Sequence, residues 1–212
     1  MGIYNASKLQ TIKNWLNAIN NNTTREVLKR QMDLLNDDDS VVGDVLAAEH
    51  GAGAIGTAFA PRTYRYNLPG NVIVTEIHVD VTGLGQVGTA AKDAIGLVAG
   101  GSAYIGRYVT ATYGIVYQIE MICVESPTEG TATFSDDIDL GAEAAVSIYD
   151  NPVDNVIVNA GGILAGQMAV AITPALTAND YIYLIEGDTT ASTGVLASGQ
   201  YIIRFYGHAL LS

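Results

Sequence analysis

Hydrophobic and polar residues alternate most clearly over residues 71–84, NVIVTEIHVDVTGL. Ile73, Thr75, Ile77, Val79 and Val81 fall on one side of a period-two ribbon, and Val72, Val74, Glu76, His78 and Asp80 on the other. That alternation predicts a strand with one face on a core and a second, increasingly polar face toward water. Before it, Tyr64, Tyr66 and Leu68 alternate with Arg65 and Asn67, and Pro69-Gly70-Asn71 is a turn. A hairpin of residues 63–68 and 72–82 follows. Later, residues 115–125 (IVYQIEMICVE) set Tyr117, Ile119, Met121 and Cys123 against Gln118 and Glu120, then become apolar on both sides, which predicts a central, buried strand. Further strands are expected over residues 104–112, 132–140, 156–158, 167–172, 181–185 and 200–207. The turns between them are expected at residues 127–130, 161–162, 177–180 and the long polar stretch 187–199. A short helix is expected over residues 89–98. About eight strands with no long helices between them predict a mainly β chain, an antiparallel β-sandwich or jelly-roll-like body.

The first fifty residues follow a different period. Ser7-Lys8-Leu9-Gln10 has the form of a capping box, and Leu9, Ile12, Leu16 and Ile19, with Trp15 beside them, make one apolar stripe. Thr23-Thr24-Arg25-Glu26 opens a second helix carrying Leu28, Met32 and Leu35, and Asn36-Asp37-Asp38-Asp39-Ser40 ends it. A short third helix is expected over residues 41–48. Helices this short cannot bury their stripes alone; they pack within the chain or serve as an interface. The expected organisation is therefore a helical docking or oligomerisation region over residues 1–50, a linker and first strand over 51–70, and the sandwich body over 71–212.

Charge separates the same two parts. The chain carries a formal net charge of −12, but residues 1–35 have five Lys or Arg against Glu26 and Asp33, a net of +3, which leaves −15 for the rest. No Lys or Arg lies between Arg107 and Arg204. Such a body repels phosphate backbones, so nucleic acid is not an expected partner. Residues 160–176, the longest apolar stretch, are interrupted by Gln167 and Pro174 and are too short to span a bilayer, so no membrane is expected either. Cys123 is the only cysteine, which excludes an intrachain disulfide, and it reads as a small buried hydrophobe. With no signal-peptide apolar core at its start, the chain is expected in a reducing cytoplasm.

Candidate chemistry is sparse. Gly83-Leu84-Gly85-Gln86-Val87-Gly88 fits a dinucleotide-binding glycine pattern, but the strand before it alternates and residues 107–112 lack the acid such a site needs. A glycine-rich turn is the better reading, and no cofactor is expected. Asp37-Asp38-Asp39 and Asp136, Asp137 and Asp139 could meet a hard cation, yet neither follows the EF-hand spacing, and they read as solvated acidic loops. His50, His78 and His208 lack ligand spacing, and Ser126, Ser147 and Ser198 sit in no nucleophile-elbow sequence. No catalytic or metal residue is expected, and the chain is not expected to be an enzyme.

Four stretches carry a resemblance: VIVTEIHVDVTGLG from Val72, DAIGLVAGGSAYIGR from Asp93, GIVYQIEMICVESPTEGTATFSDDIDL from Gly114 and ANDYIYLIEGDTTASTGVLASGQYIIRFYGH from Ala178. Together, over roughly residues 52–212, they resemble virion structural proteins of tailed bacteriophages, especially phages of cyanobacteria and other aquatic bacteria. The resemblance implies a capsid decoration (cement) protein or a head-fibre protein, often a homotrimer with a jelly-roll-like body. Its implied partner is the major capsid protein, and its implied place is the outside of the capsid, after assembly in the host cytoplasm. Leu9, Ile12, Trp15, Leu16, Ile19, Leu28, Met32 and Leu35 are then the expected capsid or subunit contacts. A tail-associated protein binding a host receptor or glycan is the alternative. A virion polysaccharide hydrolase would need two carboxylates about 5–10 Å apart in a groove, which spacing alone does not reveal.

Overall fold

The structure is a computed structural model and describes residues 44–46, 49–57, 59–86, 90–97, 100–131, 137–187 and 193–209. The compact unit Asp44–Ser212 holds all of them; the other unit, Met1–Gly43, lies outside the described residues, as do the predicted helices within it.

The alternating stretch forms β3 (Val72–Asp80), joined to β2 (Arg62–Leu68) as a hairpin. Its turn places Gly70 and Asn71 at φ of 84° and 61°, a conformation that glycine and asparagine tolerate best. β1 (Asp44–Leu46) pairs with β2, so the helix expected over residues 41–48 is replaced, at 44–46, by a short edge strand. After β4 (Gly85–Gln86) come β5 (Gly106–Arg107), the one-turn helix α1 (Thr110–Tyr113), β6 (Ile115–Thr131) and β7 (Ile138–Glu143). β8 (Val156–Val158), β9 (Met168–Ile172), β10 (Tyr181–Glu186) and β11 (Gly194–His208) complete the described strands. Two antiparallel sheets result: β1-β2-β3-β11-β6-β9, with β4 added against β11, and β5-β10-β7-β8. They pack as a β-sandwich.

The inward residues of β3 are those the alternation predicts. Ile77 and Val79 join Ile119, Met121 and Cys123 of β6 and Ile203 and Phe205 of β11, facing Ile138, Leu140, Ile182 and Leu184 of the smaller sheet. A second cluster, Ala94, Ala103, Val153, Tyr183 and Ile185, covers that sheet's other face. Burial on both faces explains why β10 reads YIYLIE, nearly continuous apolar sequence. The Tyr183 phenol, pushed up to about 12 chiefly by burial, stays protonated and donates to the Ala145 carbonyl at 3.1 Å.

Three expectations are corrected here. The helix expected over residues 89–98 is not formed in the described part; a turn at Ala91 and Lys92 leads into extended chain, with Ala94 bridging Ile185 and Ile95 N–H donating to Leu184 O at 2.9 Å. Ala94 enters one core and Ile95 the other, which an extended backbone permits and a helix does not. The strand expected over residues 104–112 is only Gly106–Arg107, because the chain folds into α1 at Thr110. The turns expected at 127–130 and across 187–199 belong in part to long strands: β6 runs through Pro127 and β11 begins at Gly194. Register shifts on β11 between Leu196 and Ser198 and between Ser198 and Gln200 bracket the place opposite Pro127, where a missing N–H costs no ladder bond.

Candidate interaction face of the large sheet

Cross-strand register lays out the outward face of the large sheet in rows. One row runs Tyr66, Val74, Tyr206, Gln118, Ile172; the next runs Tyr64, Glu76, Arg204, Glu120, Val170; the third runs Arg62, His78, Ile202, Ile122, Met168. At about 4.8 Å per strand, Tyr66 and Tyr206 stand about 10 Å apart with Val74 between them. They wall an open groove of about 240 Å³, closed at one end by Leu68 and at the other by Glu76 and Arg204.

The middle of this face is drier than the alternation predicts. Val74, Glu76 and Asp80 are buried rather than turned to water: Tyr66 and Tyr206 flank Val74, Tyr64 and Arg204 flank Glu76, and Asp80 accepts from Gln200 Nε2 at 3.3 Å and from Thr82 N–H at 2.8 Å. Glu76 is therefore fully engaged. Its Oε1 accepts from Arg204 Nε at 2.6 Å, and its Oε2 lies 3.1 Å from His78 Nε2 and accepts from the Tyr66 hydroxyl at 3.3 Å. Across β11, Glu120 accepts from Tyr206 at 2.8 Å and from Gln118 at 2.9 Å. Burial alone would raise the Glu76 carboxyl, but hydrogen bonds and charge from His78 and Arg204 outweigh it and hold the group below its ordinary value. Burial and then the adjacent carboxylates raise the Tyr66 and Tyr206 phenols, which stay protonated donors.

A pH test follows. Because the folded value is depressed, Glu76 contributes stability fully above its ordinary value of 4.5, and that contribution is lost as pH falls through the lower folded value. Glu76→Gln is expected to lower the melting temperature at about pH 7, with the gap to the parent chain narrowing as pH falls through 4.5 and below. Two melting curves that stay parallel across that range would refute the assignment.

Toward the β9 edge the face becomes apolar. Met168, Val170 and Ile172 are 51%, 47% and 64% exposed, and Val124 of β6 is exposed beside them. Among the described residues β9 is an edge strand, and its five residues, MAVAI, hold neither the charge nor the proline that commonly guards an edge against pairing with another chain.

The other candidate residues are placed as follows. Leu9, Ile12, Trp15, Leu16, Ile19, Leu28, Met32 and Leu35 lie outside the described residues, as do Asp37, Asp38, Asp39, Gly88 and Asp136. The glycine pattern is a corner, as its better reading requires: Gly83, at φ 83°, donates to Leu196 O at 2.8 Å, and Gly85 exchanges two hydrogen bonds with Gly96. Those amides are spent on the fold rather than on a phosphate. Cys123 is buried, its thiol raised first by desolvation. His78 packs on Tyr64, His208 stacks on Tyr117, and His50 lies by the chain's own backbone. Asp139 corrects the reading of its segment as a solvated loop: it is fully buried and accepts from Ala160 N–H at 2.6 Å. Among the described residues no group of three His, Cys, Asp or Glu side chains is arranged to hold a metal ion, and no helix is long and apolar enough to cross a membrane.

No protein-family model, curated protein or solved structure matches this chain. The face therefore has to be read from its own chemistry. Sequence reasoning located Glu76 on the water-facing side of its strand but assigned Tyr66 no face and missed the network, since Glu76 and Arg204 are 128 positions apart. The one usable signal was Arg204 itself, the first cation after Arg107 in a long acidic stretch.

Proposed function

We propose that this chain is a non-enzymatic virion structural protein, a capsid decoration protein that docks on the major capsid protein from outside and associates with its own copies as a homotrimer. The observation that carries the reading is the large sheet's outward face: tyrosines and an arginine held rigid by internal hydrogen bonds, beside an uncharged apolar margin on an unguarded edge. Tyrosine, arginine and a dry apolar centre are the usual makings of a protein–protein contact. A second copy suits the β9 margin because copies this acidic repel one another wherever charges meet, and the margin carries none. Residues 1–43, with their net basic first part and apolar stripes, are assigned to the capsid.

Two measurements test this. The purified chain should have three times the 22.3 kDa monomer mass by light scattering. A chain lacking residues 1–43, which keeps β1 in place, should fold but bind undecorated particles at least about tenfold more weakly, the loss of roughly one buried anchor. Parental occupancy by the truncated chain would sink the docking role.

A further inference from the structure

We propose that a second, half-open site between β1, β2, β5 and α1 binds one ring of a neutral, hydroxyl-rich ligand, a monosaccharide unit. The cavity measures about 250 Å³ and is lined by Glu49, Thr63, Gly106, Arg107, Thr112 and Tyr113, with Leu46 as its apolar wall. Ligand pockets for drug-sized molecules span about 300–1,000 Å³, so this one takes a single small ring.

Two donors here are left over by the fold. Arg107 is held by Glu49 Oε1 at 3.3 Å, by Asn179 Oδ1 at 3.1 Å and over the Tyr181 ring at 5.4 Å, yet its buried Nε has no hydrogen-bond partner among the described residues. A buried donor without a partner is costly, and a ligand oxygen would relieve that cost. Tyr113 is locked edge-on against Tyr108 and Phe205, at 5.7 and 5.1 Å between ring centres, and its hydroxyl bonds to no described residue. Burial, and then the charge of Glu49, keep that phenol protonated. Gly106 gives the Tyr113 hydroxyl its place: a Cβ there would come within 3.2 Å of that hydroxyl and 2.7 Å of Ile77 Cδ1.

The donor set selects the ligand class. Arg107 and Glu49 cancel in charge, and the acidic body repels anions, so a carboxylate or phosphate is disfavoured. Glu49 accepts from a hydroxyl, Arg107 Nε donates to one, and Thr63, Thr112 and Tyr113 can do either. Acceptor, donor and amphoteric groups around one small space match adjacent hydroxyls on a ring. The site is independent of the decorating role, since it lies away from the outward face described above.

The test is saturation-transfer NMR on the full chain with glucose, galactose, mannose and N-acetylglucosamine, with acetate and lactate as charged comparators. At least one sugar is expected to bind. Tyr113→Phe and Thr63→Val, which keep side-chain shape, should each weaken it about tenfold, the worth of one hydrogen bond, with little change in melting temperature. Silence from every sugar, binding of the carboxylates in their place, or a sugar affinity unmoved by both variants would each overturn the proposal.

Discussion

Replacing Met168 and Ile172 together by glutamate is expected to turn the proposed homotrimer into a folded monomer. Both side chains are more than half exposed on an edge strand, so the isolated chain loses little; surface changes of this kind cost about 0.5 kcal/mol each. Register guides the choice. Met168 stands opposite Ile122 and Ile172 opposite Gln118, whereas Val170 stands opposite Glu120, where a second carboxylate would destabilise the monomer itself. In the assembly each apolar side chain contributes about 2 kcal/mol of burial, and the two new charges meet another acidic copy. Subunit affinity should fall on the order of a thousandfold, from about 4 kcal/mol at 1.4 kcal/mol per tenfold. Sedimentation equilibrium of both chains reads the result directly. Unaltered mass in the double variant would remove the β9 margin from the interface.

Phe205→Ala is expected to be the most damaging single truncation, costing about 3–5 kcal/mol. Phe205 is fully buried in β11, the strand flanked by β3 on one side and β6 on the other, with Thr75 and Ile119 as its cross-strand neighbours. Its ring meets Tyr113 edge-on, at 87° between planes, so truncation opens a cavity that also frees the support of α1. A domain of ordinary stability has about 5–15 kcal/mol in total, so the loss takes a large share of it. Its neighbour is the control. Tyr206 points outward, and Tyr206→Phe removes only the hydrogen bond to Glu120, about 1 kcal/mol. Urea melts of the two variants should separate by several kcal/mol; near-equal losses would mean that β11 is not the core strand described.

Much of the fold was legible because strand faces repeat every two residues, a local property. Ile77 and Val79 could be assigned to the core from β3 alone, and Ile119, Met121 and Cys123 from β6 alone. The failures have physical causes. The first half of β11 is small and polar, GVLASGQ, with bulges that break the period, so it read as loop. The segment predicted as a helix opens with good helix formers, Ala90, Ala91 and Lys92, but Ala94 and Ile95 are claimed by opposite clusters, and that demand overrides propensity. Asp139 looked solvated beside other acids, yet its place next to β10 buries it.

The candidate face was half legible for the same reason. By itself, the sequence determined the class of fold, the inward residues of its best strands, the corner at Gly83 and Gly85, and the lopsided charge. Only the tertiary structure decided that β11 lies between β3 and β6, that Arg204 therefore reaches Glu76, and that Tyr66 and Tyr206 flank one groove. Which side of a strand a residue takes follows from its neighbours in the chain. Which residue it meets depends on strand order and register, set by the packing of the whole core over separations of more than a hundred residues.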